Sequence, residues 1–136
     1  MLSIRPEHQA AVLEMGISDF GEMHRLSKIA RPDICVMTNI GQSHLENFGS
    51  SQGILRANSE IFDFMNPDGY VFVNGDDDLL AQIEQKGNHK PIHFGMNISN
   101  DIYASDVMSQ GLLGTHAVIH GQMKVFPVEI PLPGPH

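Results

Sequence analysis

The strongest constraint on the fold is an alternation of short apolar runs with segments of helical periodicity over the first hundred residues. The runs are too short for helices and are typical of strands that are covered on both faces of a parallel sheet. Strands are predicted at 9–13, 34–37, 70–73 and 91–94. Helices are predicted between them at 19–30 and 51–65, with a short helical pattern after residue 78. This order predicts right-handed crossovers and a mainly parallel α/β sheet flanked by helices.

Local signals support the two longer helices. Apolar residues recur every three positions after Ser18 and Asp19, and we predict that they form one buried stripe. These residues are Phe20, Met23, Leu26 and Ile29. The second helix follows Ser50 and Ser51, which are residues of the type that caps helix amino termini.

The pattern changes at Asp101. Short apolar runs are separated there by Gly111, Gly114 and Gly121, without a helical period. This pattern predicts antiparallel hairpins. We therefore expect a single domain, in which residues 1–100 form a partial α/β portion and residues 101–136 form an antiparallel β portion.

Composition excludes several classes of function. With 136 residues, of which 41% are hydrophobic, the chain can form one core of ordinary size. A formal charge of −8 disfavours a nucleic-acid partner, because binding to phosphates needs a basic face. No apolar run approaches the ~20 residues that span a bilayer, so no membrane association is expected. The single cysteine, Cys35, lies in an apolar run and predicts a buried thiol in a reducing, cytoplasmic compartment.

Polar residues follow the predicted strands. They are Glu14, Thr38, Asn39, His44, Asn74 and Asp76 to Asp78. Ligands of parallel α/β sheets collect at the carboxyl ends of strands, where a carboxylate and an imidazole can hold a hard divalent cation. From the residues alone, a solvated loop acid is the better interpretation of Glu14, and a capping or surface histidine is the better interpretation of His44. Asp77 and Asp78 are best explained as acids at a helix amino terminus.

Six segments, taken together and in order, carry a resemblance to a known family. They are Glu14-Met15-Gly16, Gly21-Glu22, Ala30-Arg31-Pro32-Asp33, Thr38-Asn39-Ile40-Gly41, His44-Leu45-Glu46-Asn47-Phe48-Gly49-Ser50 and Ser59-Glu60-Ile61-Phe62. The sequence resembles the ATP-dependent Mur ligases of peptidoglycan synthesis from about Gln9 to its end. Met15-Gly16 and Ser43-His44-Leu45-Glu46 favour the branch that joins D-Ala-D-Ala to UDP-MurNAc-tripeptide over the branch that adds the third amino acid.

The resemblance implies a central ATPase domain with ATP and Mg²⁺ as cofactors. Glu14 and His44 match the family's catalytic, metal-binding residues, which hold a Mg²⁺ between the γ-phosphate and the substrate carboxylate. Asn39 lies in a matching cofactor-binding segment. Asn74 matches an asparagine that contacts the nucleotide base, and His136 matches a histidine beside the adenine or ribose. The implied reaction proceeds through an acyl phosphate.

Two departures from the family pattern stand out. Asn58 occupies the position, fourteen residues after His44, where the family has a carbamylated lysine that helps to hold a second Mg²⁺. We therefore expect a weakened second metal site. The chain also contains no Gly-Lys pair, so it lacks the phosphate-binding loop.

In the family that loop lies upstream of the segment matched here, and a further domain follows it. The sequence is accordingly interpreted as an interior fragment that is inactive alone. A sheet that lacks its phosphate-loop strand would keep a bare edge, which favours self-association. Two alternatives remain: another Mur-type ligase, such as the folylpolyglutamate or cyanophycin branch, and a noncatalytic nucleotide- or metal-binding module.

Overall fold

A computed structural model describes residues 4–41 and 45–132, and these contain one six-stranded sheet. Its strands, in chain order and in spatial order, are β1 (Ile34–Met37), β2 (Tyr70–Asn74), β3 (Ile92–Gly95), β4 (Ile102–Ser109), β5 (Thr115–His120) and β6 (Val125–Ile130). Strands β1 to β4 pair in parallel, and β4 to β6 pair in antiparallel fashion. The predicted fold class, a mainly parallel sheet with an antiparallel carboxyl-terminal part, is confirmed.

Helix α1 (Glu22–Ala30) precedes β1, and helix α3 (Ser51–Asn58) lies between β1 and β2, with a single turn, α2 (Leu45–Phe48), before α3. Short 3₁₀ helices lie at Ser59–Phe64, Leu80–Gln82 and Gly111–Leu113. The predicted cap of the second helix is confirmed, because Ser50 Oγ accepts a hydrogen bond from the Gly53 N–H at 3.1 Å. No helix in the described part of the chain is long and apolar enough to cross a membrane.

The predicted helix over 51–65 changes type at Ser59. The side chains of Asn58 and Ser59 donate hydrogen bonds to the carbonyls of Ile54 and Leu55, at 2.9 and 2.7 Å. Side chains that bond one turn back compete with the regular α-helical ladder. The segment therefore continues as a 3₁₀ helix rather than as one long α-helix.

The predicted apolar stripe on α1 is wrong at its end. Met23 is buried, but Ile29 is 83% exposed and Ser27 takes the buried place instead. A repeat of three residues falls behind the 3.6-residue turn, so residues nine positions apart lie on opposite sides of a helix. The helix also begins later than predicted, after Gly21 in the left-handed conformation at φ 78°.

The core lies on one face of the sheet. Successive strand residues point to opposite faces, and on the covered face Cys35, Met37, Val71 and Val73 pack with helix residues Met23, Ile61, Met65 and Leu80. On the other face the side chains of Ile34, Val36 and Tyr70 are 60, 57 and 61% exposed. The α/β part of the sheet is thus packed on one side and open on the other near β1.

The predicted strand at 9–13 is wrong. Residues 8–17 have no regular secondary structure, and Val12 is 99% exposed. A strand exists only when a neighbour satisfies its backbone N–H and C=O groups, and β1 pairs with β2 alone in the described sheet. The strand-like sequence therefore stays unpaired.

Candidate functional site

A cleft of about 560 Å³ lies along β1. One wall is formed by residues 13–15, which include Glu14, and another by β1 itself with Thr38 and Asn39 at its carboxyl end. Asn58, at the end of α3, also lines the cleft. Glu14, Thr38 and Asn39 are exposed, and Asn58 is partly buried. The structure thus brings three of the residues predicted as site residues, Glu14, Asn39 and Asn58, to one cavity.

Asn58 lines this cleft and makes one side-chain hydrogen bond within its own helix. Its Nδ2 donates to the Ile54 carbonyl, so Oδ1 and the second Nδ2 hydrogen take no part in that bond. An amide oxygen is a suitable but uncharged ligand for a hard cation. The position that the resemblance matches to a lysine therefore carries a neutral amide at the end of α3.

Asn74 lies at the carboxyl end of β2 and joins two loops. Its Nδ2 donates to the Thr38 carbonyl at 2.8 Å, and its Oδ1 accepts the Asp76 N–H at 2.9 Å. The first bond crosses from β2 to the end of β1, its parallel neighbour. Both ends of the amide thus have a protein partner, and one of the two Nδ2 hydrogens is left over for a ligand.

Asp77 confirms the prediction of an acid at a helix amino terminus. Its Oδ1 accepts the N–H groups of Leu79 and Leu80, each at 3.0 Å, at the start of the 3₁₀ helix Leu80–Gln82. Its Oδ2 accepts the Ile40 N–H at 2.8 Å, a contact that sequence reasoning missed. Partial burial acts to raise the pKa of Asp77, but the hydrogen bonds from Ile40, Leu80 and Leu79 outweigh it and lower that pKa.

Asp76 binds the connection between β3 and β4. Its carboxylate accepts the N–H groups of Met96 and Asn97 and the Nδ2 of Asn100. The Met96 N–H is the main cause of a lowered pKa for Asp76; burial opposes it, and Asn100 and Asn97 add to it. A Cβ at Gly95 would overlap this carboxylate, so glycine is required there.

Cys35 is buried in the wall of the cleft, as predicted. Burial raises the pKa of its thiol to about 11, so the group is uncharged at neutral pH. In the structure Cys35 packs with the core that covers this face of the sheet.

Two predicted residues, His44 and His136, lie outside the described residues. Among the residues that are described, no group of three or more His, Cys, Asp or Glu side chains is arranged to hold a metal ion. The lining of the cleft instead includes Glu14, Thr38, Asn39 and Asn58, all of which have oxygen atoms in their side chains. A donor set of one carboxylate and neutral oxygens fits Mg²⁺, which binds few protein ligands and keeps waters or phosphate oxygens around it.

Comparison with known proteins agrees with this fold. The family model described as "Mur ligase middle domain" matches residues 1–136. A UDP-N-acetylmuramoyl-tripeptide–D-alanyl-D-alanine ligase from Bacillus subtilis is 38% identical over 136 residues, which are all of this chain and 28% of the relative. The chain therefore spans less than a third of that curated relative's length.

Solved structures give the same result. A crystal structure of MurF from Acinetobacter baumannii superposes with a TM-score of 0.83 at 32% identity, and it covers 96% of this chain and 28% of that one. The MurF ligase from Thermotoga maritima in complex with ADP gives a TM-score of 0.67 at 27% identity, and it covers 82% of this chain and 26% of the other. With its full-length family match and this shared fold, the chain belongs to the Mur ligase middle-domain family.

Proposed function

We propose that this chain is part of the nucleotide- and Mg²⁺-binding domain of a ligase that joins D-Ala-D-Ala to UDP-MurNAc-tripeptide in the cytoplasm. The observation that carries the proposal is the convergence of Glu14, Asn39 and Asn58 on one cleft beside β1. Support also comes from the 38% identity to a ligase of that name and from the solved relative that holds ADP.

The residues of the cleft suit a site where anions meet. Glu14 would hold Mg²⁺ together with His44, and Asn58 would contribute a neutral oxygen to a weaker second position. Asn39 and Asn74 bind the nucleotide, with His136 beside the adenine or ribose. Because the chain carries a formal charge of −8, the positive charge between phosphate and carboxylate must be local. When bound, Mg²⁺ supplies that charge and stabilises the charge that develops on the transferred phosphoryl group.

The reaction consists of two displacements. A carboxylate oxygen of the UDP-MurNAc-tripeptide attacks the γ-phosphorus of ATP, ADP leaves, and an acyl phosphate forms. The amine of D-Ala-D-Ala then attacks the acyl carbon, inorganic phosphate leaves, and the nitrogen loses a proton to give the amide. Alignment of the two anions is the main contribution expected from the cleft residues.

The test uses the full-length protein. It measures ADP release that depends on both UDP-MurNAc-tripeptide and D-Ala-D-Ala. Glu14→Gln removes the carboxylate charge but keeps the size of the side chain. We expect its kcat to fall by roughly 10² to 10³-fold, the usual effect of losing one group that stabilises transition-state charge.

Glu7→Gln is the matched control, because Glu7 is exposed and makes only a 3.8 Å ion pair with Arg5. It should retain wild-type turnover. Full activity of Glu14→Gln, or a wild-type protein that releases no ADP with these substrates, would contradict the proposal. The latter result would favour the noncatalytic nucleotide-binding alternative. The 136-residue chain by itself, without a Gly-Lys phosphate loop, is expected to hydrolyse no ATP.

A further inference from the structure

We propose that Asp77 is a positioning residue for the nucleotide site, because its carboxylate fixes the segment after β1 that carries Asn39. The inference rests on the function proposed above. It adds a residue that lies outside the cleft and acts through Ile40.

The carboxylate of Asp77 is shared between two elements. One oxygen, Oδ1, caps the 3₁₀ helix through Leu79 and Leu80, and the other, Oδ2, accepts the Ile40 N–H at 2.8 Å from a residue 37 positions earlier. All three bonds are partly buried, so water competes with them less than at the surface. A hydrogen bond to an ionised acceptor is also stronger than one between neutral groups.

Ile40 is held on its other side as well. Its side chain packs against the main core and also against the small cluster of Phe48, Ile54 and Ala57. A residue whose side chain and backbone N–H are both engaged has few conformations left. The tether at Asp77 therefore determines where the backbone runs after β1.

A second tie lies two residues earlier, where Asn74 Nδ2 binds the Thr38 carbonyl. Thr38 and Ile40 flank Asn39, so the backbone on both sides of Asn39 is attached to the loop after β2. Asn39 itself is exposed and lines the cleft. The two ties thus hold Asn39 toward the ligand space, and the loops after β1 and β2 act as one unit.

Aspartate is required at position 77 because both of its oxygens accept hydrogen bonds. In Asp77→Asn, Oδ1 still caps Leu79 and Leu80, but an Nδ2 donor now faces the Ile40 N–H donor. In Asp77→Ser the hydroxyl still caps the helix, but the serine side chain is too short to reach Ile40. Both variants remove the tether and leave the helix cap in place.

The experiment compares Asp77→Asn and Asp77→Ser with Asp78→Asn in the full-length protein. Asp78 is exposed, and in the described part of the chain its carboxylate accepts no amide hydrogen bond. The first measurement is amide hydrogen exchange of a peptide that contains residues 38–41. The second is the Kd of Mg²⁺·ADP by calorimetry, and the third is the melting temperature.

In both Asp77 variants we expect exchange at Ile40 to rise by about tenfold, as for the loss of one local hydrogen bond. Binding of Mg²⁺·ADP should weaken at least about tenfold with little change in melting temperature, while Asp78→Asn matches the wild type. Faster exchange with unchanged Kd would make Asp77 merely structural, and unchanged exchange would deny the tether; either result overturns the proposal. Weak binding that only follows a large fall in melting temperature in both variants would also overturn it. If the wild-type protein binds no Mg²⁺·ADP, the proposed function itself is wrong.

Discussion

Asn58 shows how a single side chain changes the electrostatics of the cleft. A carbamylated lysine would place a negative charge where the amide now has a neutral oxygen. The Nδ2 of Asn58 donates a hydrogen bond to the Ile54 carbonyl. The resemblance alone raised the question of a second metal site. The structure adds that Asn58 does line the cleft from the end of α3.

We predict that Asn58→Lys lowers the Mg²⁺ concentration at half-maximal ligase activity. The measurement uses the full-length protein with bicarbonate present. A new charged ligand should lower it several-fold, roughly 3- to 10-fold, within the range by which groups around a metal alter its affinity. Gln52→Lys adds a lysine at an exposed position of α3 and should leave the Mg²⁺ dependence unchanged. An unchanged Mg²⁺ requirement in Asn58→Lys would count against the idea of a weakened second site.

Asp76 contributes stability that depends on pH. Its pKa is lower in the folded chain than its ordinary value of 3.8, so the folded state favours the ionised form. A group with a depressed folded pKa stabilises fully above its unfolded pKa, and the contribution is lost as the pH falls through the folded value.

For Asp76→Asn we therefore predict a lower urea midpoint than the wild type at pH 7, with a gap that stays constant down to about pH 5 and closes below about pH 4. Urea unfolding of the two 136-residue chains from pH 7 to pH 3 measures it. The lowered pKa of Asp77 is common to both chains and cancels in the difference. A gap that persists unchanged at pH 3 would show that the carboxylate's charge is not the cause.

Among the elements, α1 shows what a linear pattern cannot predict. Its amino terminus begins after Gly21, which has no capping side chain, and Glu60 from the later 3₁₀ helix accepts hydrogen bonds from the N–H groups of Gly21 and His24. Gly21 and Glu60 are 39 residues apart, and the local capping signals at Ser18 and Asp19 led to an early start for the predicted helix. Only the packing of the two elements reveals the true cap.

Strand β1 is an edge in this sheet. Its four residues predicted a strand covered on both faces, yet Ile34 and Val36 on one face are largely exposed and its outer backbone groups face the cleft. An exposed apolar edge is a template for pairing with another strand.

We accordingly predict that the isolated 136-residue chain self-associates and that Val36→Lys reduces this. Light scattering after size exclusion should show a mass that rises with concentration in the wild type and stays near 15.0 kDa in the variant. Ile98→Lys, at an exposed position in the β3–β4 connection, controls for the added charge. Equal masses for wild type and Val36→Lys would exclude this edge as the contact.

At the scale of the whole molecule, the strands that could be predicted were those whose apolar runs have a neighbour within the chain. The run at 9–13 is also apolar but has no partner, and it stays irregular. Glu14 and Asn39 were candidates from their places after predicted strands as well as from the resemblance, whereas Asn58 was a candidate from the resemblance alone. The cleft that joins the three could not be predicted, because it depends on packing. Nothing in the sequence predicts the hydrogen bond between Ile40 and Asp77. An aspartate next to a helix start has the same local sequence whether or not its second oxygen has a partner.

Strands β3 and β4 share fewer paired residues than any other neighbouring strands of the described sheet. The pairs are Phe94 with Ile102 and Gly95 with Tyr103. Strands β4 and β5, in contrast, pair over five residues along a longer hairpin. The antiparallel strands therefore join the parallel part of the sheet through few backbone pairs, and the hydrogen bonds that Asp76 accepts from Met96, Asn97 and Asn100 hold the connection between the two parts.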